Sequence, residues 1–534
     1  MKHRLLFLII LTACLICIDM SSGLSVHCFT SALITAFVLS WPTKFLPTIL
    51  RSVIQLLIGE SFVFLCIVDC YCQTFLGSPI TPQLFNSVLL SNFRETHEFF
   101  SGFVNSHTIV HWRIGSLLLM VFMLPIVLGV RWSPSAITNT KTFKCLWRGV
   151  VVVCLLCEAI PGFHYIQLYL QEDIEKVEGL IFRHYHEEVP TPLHRFVFAY
   201  YSILMSRHTL EKIKISTFNA KIDNCTHNSP HIVLIIGESY NKHHSSLYGY
   251  RLPTTPLQQM RQERGELILF DDAVTRWNIT SNAFLDMFSV WQHDCRHPVT
   301  AYPLFPVVFR RAGYTVTFFS NQYILRGFRR GATNQSGHFF LADAELSDSM
   351  FTYRNNDQSQ YDMGLVKQVK DYMRETTSQP LTLDIIHLIG QHFEYSMRYP
   401  HSQAIFSLAD YKKRKLDKFA KEIVMHYDNA TRYNDYVLDS LLSMYEDEEV
   451  IIVFVADHGE EVYDELPIHG RLFQEPSSQQ LKNEYQVPMW IWCSESYISC
   501  HPDIVEQIRS LSKKHFTTDA LTNMLLYFAG IKME

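Results

Sequence analysis

The sequence lacks three features that point other chains to particular functions: an internal repeat, a low-complexity segment and a large charge excess of one sign. The missing repeat argues against solenoids and propellers. Its 46 basic and 52 acidic side chains leave a net charge of −6, so overall charge gives no argument for a nucleic-acid partner, and we expect none. Apolar runs long enough to cross a bilayer are also missing after Leu170. The 48% hydrophobic content is therefore concentrated in the first third of the chain.

Cysteine is scarce in the second part of the chain, where only four of the 13 cysteines lie. An exported domain permits disulfides, and Cys493 with Cys500 is the pair nearest in sequence. Two unpaired thiols are the alternative, and the spacing does not determine the connectivity.

Five apolar segments before Leu170 are close to the length of about 20 residues that a bilayer core requires. We expect each to be a transmembrane helix, with a signal peptide as the alternative for the first. The segments are residues 5–19, 28–46, 54–75, 114–130 and 146–165.

Basic residues favour one side of these segments, which sets the orientation of the chain. If the amino terminus is cytoplasmic, eight basic residues fall on the cytoplasmic side and the short outer loops hold mainly Arg94 and Arg113. An odd number of crossings then places everything after Leu170 outside the cytoplasm. We therefore predict a transmembrane domain over residues 1–170, a connector over 171–230 and an exported domain over 231–534.

Strands and helices alternate in the exported part. Apolar runs of strand length occur at residues 231–237, 314–320, 381–389, 450–456 and 487–493, and helical patterns cover 363–374 and 415–444. This alternation predicts an α/β domain with a mostly parallel central sheet covered on both faces.

Two of the buried strands end in metal-ligand side chains. Glu238 follows one strand, and Asp457 with His458 follows another, 219 residues later. The carboxyl ends of parallel strands meet at one edge of a sheet, so these groups are expected to form one site. Oxygen and nitrogen donors of this kind bind zinc. The alternative is that they are capping and turn residues at strand-to-helix junctions.

Three histidines are further candidates at the same edge. His469 follows the Asp457–His458 pair by about a dozen residues, and His387 and His392 stand at the end of a third strand. We assign His392 and His469 to substrate binding, with His387 and His392 as candidates for a second metal or for a substrate phosphate. A structural histidine is the alternative for each one taken singly.

An ordered set of motifs resembles the membrane-bound phosphoethanolamine transferases of the alkaline phosphatase and sulfatase superfamily. Five spans before an exported catalytic domain is also that family's layout. The motifs are Gly237-Glu238-Ser239, Ser246-Leu247-Tyr248-Gly249-Tyr250, Thr254-Thr255-Pro256, Tyr427-Asp428-Asn429 with Tyr433 and Asp435, and Ala456-Asp457-His458-Gly459-Glu460.

The resemblance implies a threonine that acts as nucleophile and metal ligand. Thr280 takes this place, with Thr275 and Ser281 as fallback assignments. An N-cap hydroxyl is the structural alternative for Thr280. Better-known members flank the threonine with a disulfide, whereas Arg276 and Asp286 occupy those positions here.

The activity implied by the resemblance is transfer of phosphoethanolamine from phosphatidylethanolamine to an envelope glycolipid, with lipid A as the first candidate acceptor. The implied ligands are Glu238, Thr280, Asp457 and His458, holding one zinc ion tightly, and the intermediate is covalent on Thr280. Glu95, in a loop similar to one of the family's loops, is assigned to the ammonium of the donor, with a solvated amphipathic helix as the alternative. The implied location is the inner membrane of a Gram-negative bacterium, multi-pass, with the catalytic domain in the periplasm.

Two other functions stay open. One is a glycerophosphotransferase similar to lipoteichoic acid synthase, which would share the anchor, the threonine and the metal. The other is a membrane sensor whose catalytic machinery has decayed.

Overall fold

The computed structural model describes residues 45–75, 141–157, 192–322, 340–376, 379–471 and 482–534, together with positions 34, 80, 114, 115, 117, 118 and 121. The chain divides into two compact units, the second of which begins at Ser206 and extends to the carboxyl terminus. Each unit is described by itself.

Thirteen α-helices lie within the described residues. In chain order they are α1 (Thr48–Phe75), α2 (Lys141–Cys157), α3 (Pro192–Phe218), α4 (Pro256–Glu263), α5 (Thr280–Phe288), α6 (Phe305–Arg311), α7 (Ala344–Met350), α8 (Asp362–Glu375), α9 (Lys418–Met444), α10 (Lys482–Tyr485), α11 (Glu495–Cys500), α12 (Pro502–Leu511) and α13 (Leu521–Ala529).

Thirteen β-strands lie within the same ranges. They are β1 (Ile222–Cys225), β2 (His231–Gly237), β3 (Leu267–Leu269), β4 (Ala273–Val274), β5 (Thr315–Ser320), β6 (Tyr353–Arg354), β7 (Thr382–His387), β8 (Val450–Ala456), β9 (Glu461–Val462), β10 (His469–Gly470), β11 (Met489–Cys493), β12 (Phe516–Thr517) and β13 (Ile531–Met533).

The first unit contains α1, whose stretch Ile49–Cys72 is long and apolar enough to cross a membrane. Within the described residues no other helix meets this test. Helix α1 overlaps the third predicted span and α2 overlaps the fifth. The other three predicted spans lie wholly or mostly outside the described residues. The number of five therefore stays a prediction.

The second unit is built on a seven-stranded sheet with the order β3-β11-β8-β2-β7-β5-β6. Strands β8, β2, β7, β5 and β6 pair in parallel, and β11 is antiparallel to both of its neighbours. The prediction of an α/β domain with a mostly parallel sheet is confirmed. The strands predicted from apolar runs agree with the observed strands to within about two residues, whereas the short edge strands β3 and β6 gave no such signal.

Strands β2 and β8 form the centre of the core. Every residue of β8 is buried, as is β2 from Ile232 to Gly237. The sequence of such a strand is a continuous run of apolar, mostly β-branched residues, because helices cover both faces of the sheet. Their parallel register pairs Gly237 with Ala456. The next residue of each strand, Glu238 and Asp457, therefore leaves the sheet at the same point.

The four cysteines of the second unit are free. Cys493 ends β11 and is buried, whereas Cys500 ends α11 and is exposed. The sequence left open a Cys493–Cys500 disulfide or two unpaired thiols, and the structure has the unpaired thiols.

A buried ion cluster joins α9 to the loop after β2. The His244 ring lies between two carboxylates, with Nδ1 2.5 Å from Asp428 Oδ1 and Nε2 2.9 Å from Asp464 Oδ2. Tyr250 and Tyr411 donate to the second oxygen of Asp428. Burial opposes a charge on the ring, but the two aspartates outweigh it and raise the pKa of His244 to about 10. Imidazolium is therefore the stable form at neutral pH.

We predict that His244→Ala lowers the free energy of unfolding by about 3 kcal/mol, because it leaves the buried Asp428 carboxylate without its cation, whereas Asp464 keeps its ion pair with Arg414. Since the folded pKa is raised, the contribution of His244 is complete below its ordinary value of 6.5 and is lost as the pH rises towards about 10. Urea unfolding of wild type and variant across this range checks both statements. Tyr250→Phe, which removes one hydrogen bond and keeps the charges, should cost less. A difference between wild type and His244→Ala that stays constant from pH 6 to 10 would contradict the ion-cluster account.

Candidate metal centre

Hydrogen bonding continues past the ends of β2 and β8 and brings their terminal side chains together. The Asp457 amide donates to Gly237 O at 3.0 Å, and the Tyr240 amide donates to His458 O at 2.9 Å. Between them, Ser239 has φ 53°, a left-handed conformation that turns the chain away from the sheet. The Tyr427 hydroxyl supports this turn by donating to Ser239 O at 2.6 Å. The turn therefore fixes Glu238 at the sheet edge.

Four side chains meet at this edge: Glu238, Thr280, Asp457 and His458, all buried. Thr280 Oγ1 lies 3.2 Å from Glu238 Oε2 and 3.2 Å from His458 Nε2. His458 Nε2 lies 3.3 Å from Glu238 Oε1 and 3.4 Å from Asp457 Oδ2. A tetrahedral zinc ion with bonds of about 2.1 Å separates its ligands by about 3.4 Å. The observed spacing is therefore that of a zinc ligand set.

The charges of the two carboxylates, Glu238 and Asp457, also fit a bound cation. Asp457 Oδ2 is buried and has no hydrogen-bond partner in the described part of the chain. Burial and the negative charge of Glu238 hold the pKa of Asp457 well above its usual value. Burial also opposes the charge on Glu238, but hydrogen bonding, first of all to His387, outweighs it, and the pKa of Glu238 lies well below its usual value. A divalent cation between the carboxylates would neutralise their repulsion.

The His458 ring is oriented for metal binding. Its Nδ1 lies 2.8 Å from Gly459 O, so Nδ1 carries the proton and Nε2 presents its lone pair to the cluster. Burial and the nearby Arg471 guanidinium lower the pKa of His458. The ring is therefore neutral, as a metal ligand must be.

Thr280 is the first residue of α5 and not its cap. The N-cap is Ile279, and the Thr280 hydroxyl donates to Glu238 and not to the helix backbone. The fallback residues contact other groups: Thr275 donates to Trp277 O, and Ser281 donates to Asn282 Oδ1. Of these three hydroxyls, that of Thr280 is the one within hydrogen-bond distance of Glu238 and His458 in the part of the chain that the structure describes.

Two glycines allow the backbone to approach the cluster closely. A Cβ on Gly459 would lie 2.1 Å from Asn483 O, in the segment that packs under the Asp457–His458 loop. Gly390 has φ 45°, and a Cβ there would lie 2.9 Å from Glu238 O. The sequence Asp-His-Gly therefore contains its glycine for steric reasons.

Three further residues predicted at the site, His387, His392 and His469, lie within the described residues. The pKa values of His392 and His469 are both lowered to about 4, in each case chiefly by burial, so both rings are neutral at pH 7. His469 Nδ1 lies 3.1 Å from the Tyr463 hydroxyl. His387 lies behind Glu238, with Nε2 3.8 Å from Glu238 Oε2, and therefore supports a ligand. Glu95 lies outside the described residues.

Two residues that contact the cluster were missed in the sequence. Gln322 Nε2 donates to Glu238 Oε2 at 2.9 Å, and Arg471 Nη1 donates to His458 Nε2 at 2.9 Å. Gln322 follows the end of β5 by two residues. A search for polar side chains just after this strand, like the one made after β2 and β8, would have found it. Arg471 follows β10, a two-residue strand without an apolar run, and gave no signal.

An ion pair joins the two positions at which the resemblance led us to look for a disulfide. Arg276 Nη1 donates to Asp286 Oδ2 at 2.9 Å, and Trp277 Nε1 donates to the same oxygen at 3.0 Å. The Arg276 guanidinium also lies over the Trp291 ring, 4.7 Å from its centroid. These contacts link the segment before Thr280 to the helix that Thr280 begins.

Comparisons with known proteins show which proteins the chain resembles. A family model described as Sulfatase matches residues 230–525. Phosphoethanolamine transferase EptC of Escherichia coli strain RS218 is 29% identical over 277 residues, which are 51% of this chain and 46% of the relative. Phosphoethanolamine transferase EptA of Helicobacter pylori is 29% identical over 290 residues, 53% of this chain and 51% of the relative. The chain thus spans about half the length of the curated relatives it matches. The resemblance stated from the sequence is confirmed.

A solved structure shows the same fold over nearly the whole chain. It is the integral membrane protein lipooligosaccharide phosphoethanolamine transferase A (EptA) from Neisseria meningitidis, with a TM-score of 0.64 and 15% identity. The match covers 99% of this chain and 94% of that one.

We predict that Asp457→Asn removes zinc binding without destabilising the metal-free protein. The Asn Oδ1 can still accept from the Ser239 and His458 amides, and the repulsion with Glu238 disappears. Thermal unfolding with EDTA and with excess zinc checks this: wild type should gain about 3 kcal/mol at a zinc concentration of about 100 times Kd, and the variant should gain nothing. Asp428→Asn, in the His244 cluster, should be less stable than wild type both with EDTA and with excess zinc. Zinc stabilisation retained in Asp457→Asn would count against the ligand assignment.

The Arg276–Asp286 pair should stabilise the Thr280 segment. Asp286→Ala leaves the Trp277 N–H and the guanidinium without their partner and should cost about 2 kcal/mol. Arg276→Ala should cost less, because this side chain is one-third exposed. A double-mutant cycle measured by urea unfolding should show non-additivity. Strict additivity would mean that the two side chains do not interact in solution.

Proposed function

The chain belongs to the sulfatase family, and from this premise we propose that it is a zinc-dependent, membrane-bound phosphoethanolamine transferase. The observation that carries the proposal is the Thr280 hydroxyl, which lies 3.2 Å from both Glu238 and His458 within a zinc-like ligand set. The names of the curated relatives supply the transferred group. Glu238, Asp457, His458 and Thr280 would hold the metal.

A zinc ion bound there would lower the pKa of the threonine hydroxyl and neutralise charge on phosphoryl oxygens. The residues of the chain position the nucleophile: α5 fixes the Thr280 backbone, and the Asp286 contacts hold the preceding segment. Thr280 also begins α5, a helix of nine residues. The positive end of this helix therefore faces the place where an anionic phosphate would bind.

The proposed reaction has two displacements at phosphorus. In the first, Thr280 Oγ1 bonds to the phosphorus of phosphatidylethanolamine and the bond to the diacylglycerol oxygen breaks. Diacylglycerol leaves with the proton that the hydroxyl has lost. In the second, a hydroxyl of the acceptor attacks phosphorus, the bond to Thr280 breaks and the threonine recovers a proton. The result is phosphoethanolamine on the acceptor and an unchanged enzyme.

Arg471, His392 and His469 are suited to the phosphate and its surroundings. Arg471 is a cation that already reaches the cluster through His458, and a guanidinium can donate two parallel hydrogen bonds to phosphoryl oxygens. The neutral ring of His469 could donate one hydrogen bond. His392 Nδ1 already donates its proton to Phe393 O at 2.7 Å, so His392 would donate to the phosphate from Nε2 only when the ring is protonated. We assign these three residues to phosphate binding and propose Glu95 for the ammonium group.

We place the protein in the inner membrane of a Gram-negative bacterium, multi-pass, with the domain over residues 231–534 in the periplasm. Residues 1–170 would be the membrane domain and 171–230 the connector. The apolar stretch Ile49–Cys72 supports an anchor. The acceptor is an envelope glycolipid, with lipid A as the first candidate. An anchor confines the site to the surface where both lipids reside and raises their effective concentration.

We predict that Thr280→Ala abolishes transfer and retains part of the zinc, because Glu238, Asp457 and His458 remain. The purified protein is incubated with labelled phosphatidylethanolamine, and diacylglycerol release and the intact mass of the protein are measured. Wild type should gain the mass of one phosphoethanolamine group, and Thr280→Ala should gain none. Ser281→Ala is the matched control, because it removes the neighbouring hydroxyl that donates to Asn282. Full transfer by Thr280→Ala would refute the nucleophile.

The same assay separates the proposed activity from glycerophosphate transfer. Phosphatidylethanolamine should release diacylglycerol, and phosphatidylglycerol should not. Release from phosphatidylglycerol alone would overturn the head-group assignment while leaving the nucleophile intact. Mass spectrometry of envelope lipids from cells with and without the protein then identifies the acceptor.

A further inference from the structure

The segment from Lys412 to Lys421 concentrates positive charge in an otherwise acidic chain. It holds six basic residues and one acidic residue, whereas the whole chain has a net charge of −6. Lys412, Lys413, Lys415 and Lys418 are exposed. This charge is therefore presented to the surroundings of the protein.

The fold uses little of this charge. Arg414 pairs with Asp464 at 2.7 Å, and Lys418 approaches Glu422 at 3.5 Å with both side chains in solvent. For Lys412, Lys413 and Lys415 no ion pair occurs within the part of the chain that the structure describes. Exposed lysines without partners contribute little to stability. We therefore look for a function of Lys412, Lys413 and Lys415 other than stabilising the folded domain.

The position of the charge also opposes the helix that follows. Helix α9 begins at Lys418, and its first turns contain Lys418 and Lys421. The amino terminus of a helix carries partial positive charge, so cations there are unfavourable and anions favourable. The N-cap carboxylate of Asp417 is one such anion, since it accepts from the Ala420 amide at 2.7 Å. One carboxylate beside six basic residues still leaves this segment with an excess of positive charge.

Two large apolar side chains adjoin the basic segment. Phe419 is 51% exposed, and its ring lies 6.4 Å from the ring of His469. Ile405 is 61% exposed and precedes Phe406, which packs with Tyr411 in a buried cluster. Lysines beside large apolar side chains are typical of surfaces that rest on a membrane interface.

We propose that this basic face, formed by Ile405, Lys412, Lys413, Lys415, Lys418 and Phe419, docks on anionic lipid head groups of the membrane surface. The inference rests on the membrane location given under Proposed function. Lysine is suited to this task because a flexible ammonium binds phosphate without a fixed geometry. Through the contact between Phe419 and His469, docking would hold His469, proposed above for phosphate binding, close to the lipids.

The test measures lysine accessibility in the full chain. The protein is placed in nanodiscs of phosphatidylcholine alone or of phosphatidylcholine with phosphatidylglycerol, treated with an amine-acetylating reagent and digested for mass spectrometry. In anionic discs the acetylation rate of the lysines of the basic face should be lower than in neutral discs by a factor of about three or more. At about 1 M salt, where the Debye length falls to about 3 Å, the protection should disappear. Lys367 and Lys370, exposed on α8, are internal controls and should not change.

A charge variant makes the test specific. In Lys412→Gln/Lys413→Gln/Lys415→Gln, the remaining Lys418 should lose most of its protection in anionic discs. The matched control Lys367→Gln/Lys370→Gln/Lys532→Gln removes the same charge from other exposed positions and should leave Lys418 protected. Loss of protection in both variants would show a net-charge effect and overturn the assigned face.

Two further outcomes decide the inference. Equal reactivity of the basic face in both kinds of disc would overturn docking while leaving the proposed transferase intact. A second experiment adds inorganic phosphate to neutral discs, at the concentration of lipid phosphate in the anionic discs. If the lysines of the basic face are then protected as strongly as in anionic discs, the site binds soluble anions and docking on lipid is overturned. Failure of the chain to remain with the discs would overturn the membrane location and this inference together.

Discussion

The parallel pairing of β2 with β8 is the constraint on which the site depends. Because Gly237 pairs with Ala456, two carboxylates leave the sheet side by side and are buried together. This arrangement is unfavourable unless something positive lies between them. The Ser239 turn, the glycine at 459 and the hydrogen bond from Tyr427 all keep the arrangement in place. The fold thus holds a repulsive pair ready for a cation and does not relax to avoid it.

Several motif residues turn out to support the site and not to form it. Tyr427 holds the Ser239 turn, Asp428 binds His244, and Asp435 accepts from the backbone at the start of α4. The ordered motifs therefore describe one supporting framework, in which α9 locks the loops that follow β2. The Arg276–Asp286 ion pair belongs to the same framework. It links, without covalent chemistry, the positions that better-known members join by a disulfide.

The charge distribution connects the site to its surroundings. The cluster of Glu238, Thr280, Asp457 and His458 is buried and contains two carboxylates, whereas the segment before α9 is exposed and basic. The proposed function would use both properties. The cluster would hold a metal, and the basic segment would attract anionic head groups. The lysines gain little from the folded domain itself, which is why their role is sought outside it.

The sequence by itself determined the sheet, the central strands and three residues of the cluster, because β-branched runs that end in Glu238 or in Asp457 and His458 leave one geometry for a parallel sheet. Thr280 came from the resemblance carried by the ordered motifs, since no strand ends there. Gln322 and His387 stand at strand ends and were within reach of the same rule, whereas the contact of Arg471 and the Arg276–Asp286 pair were decided by the tertiary structure alone. They join segments distant in sequence or depend on short elements without periodicity, and a local pattern carries no information about which distant side chain fills a buried space.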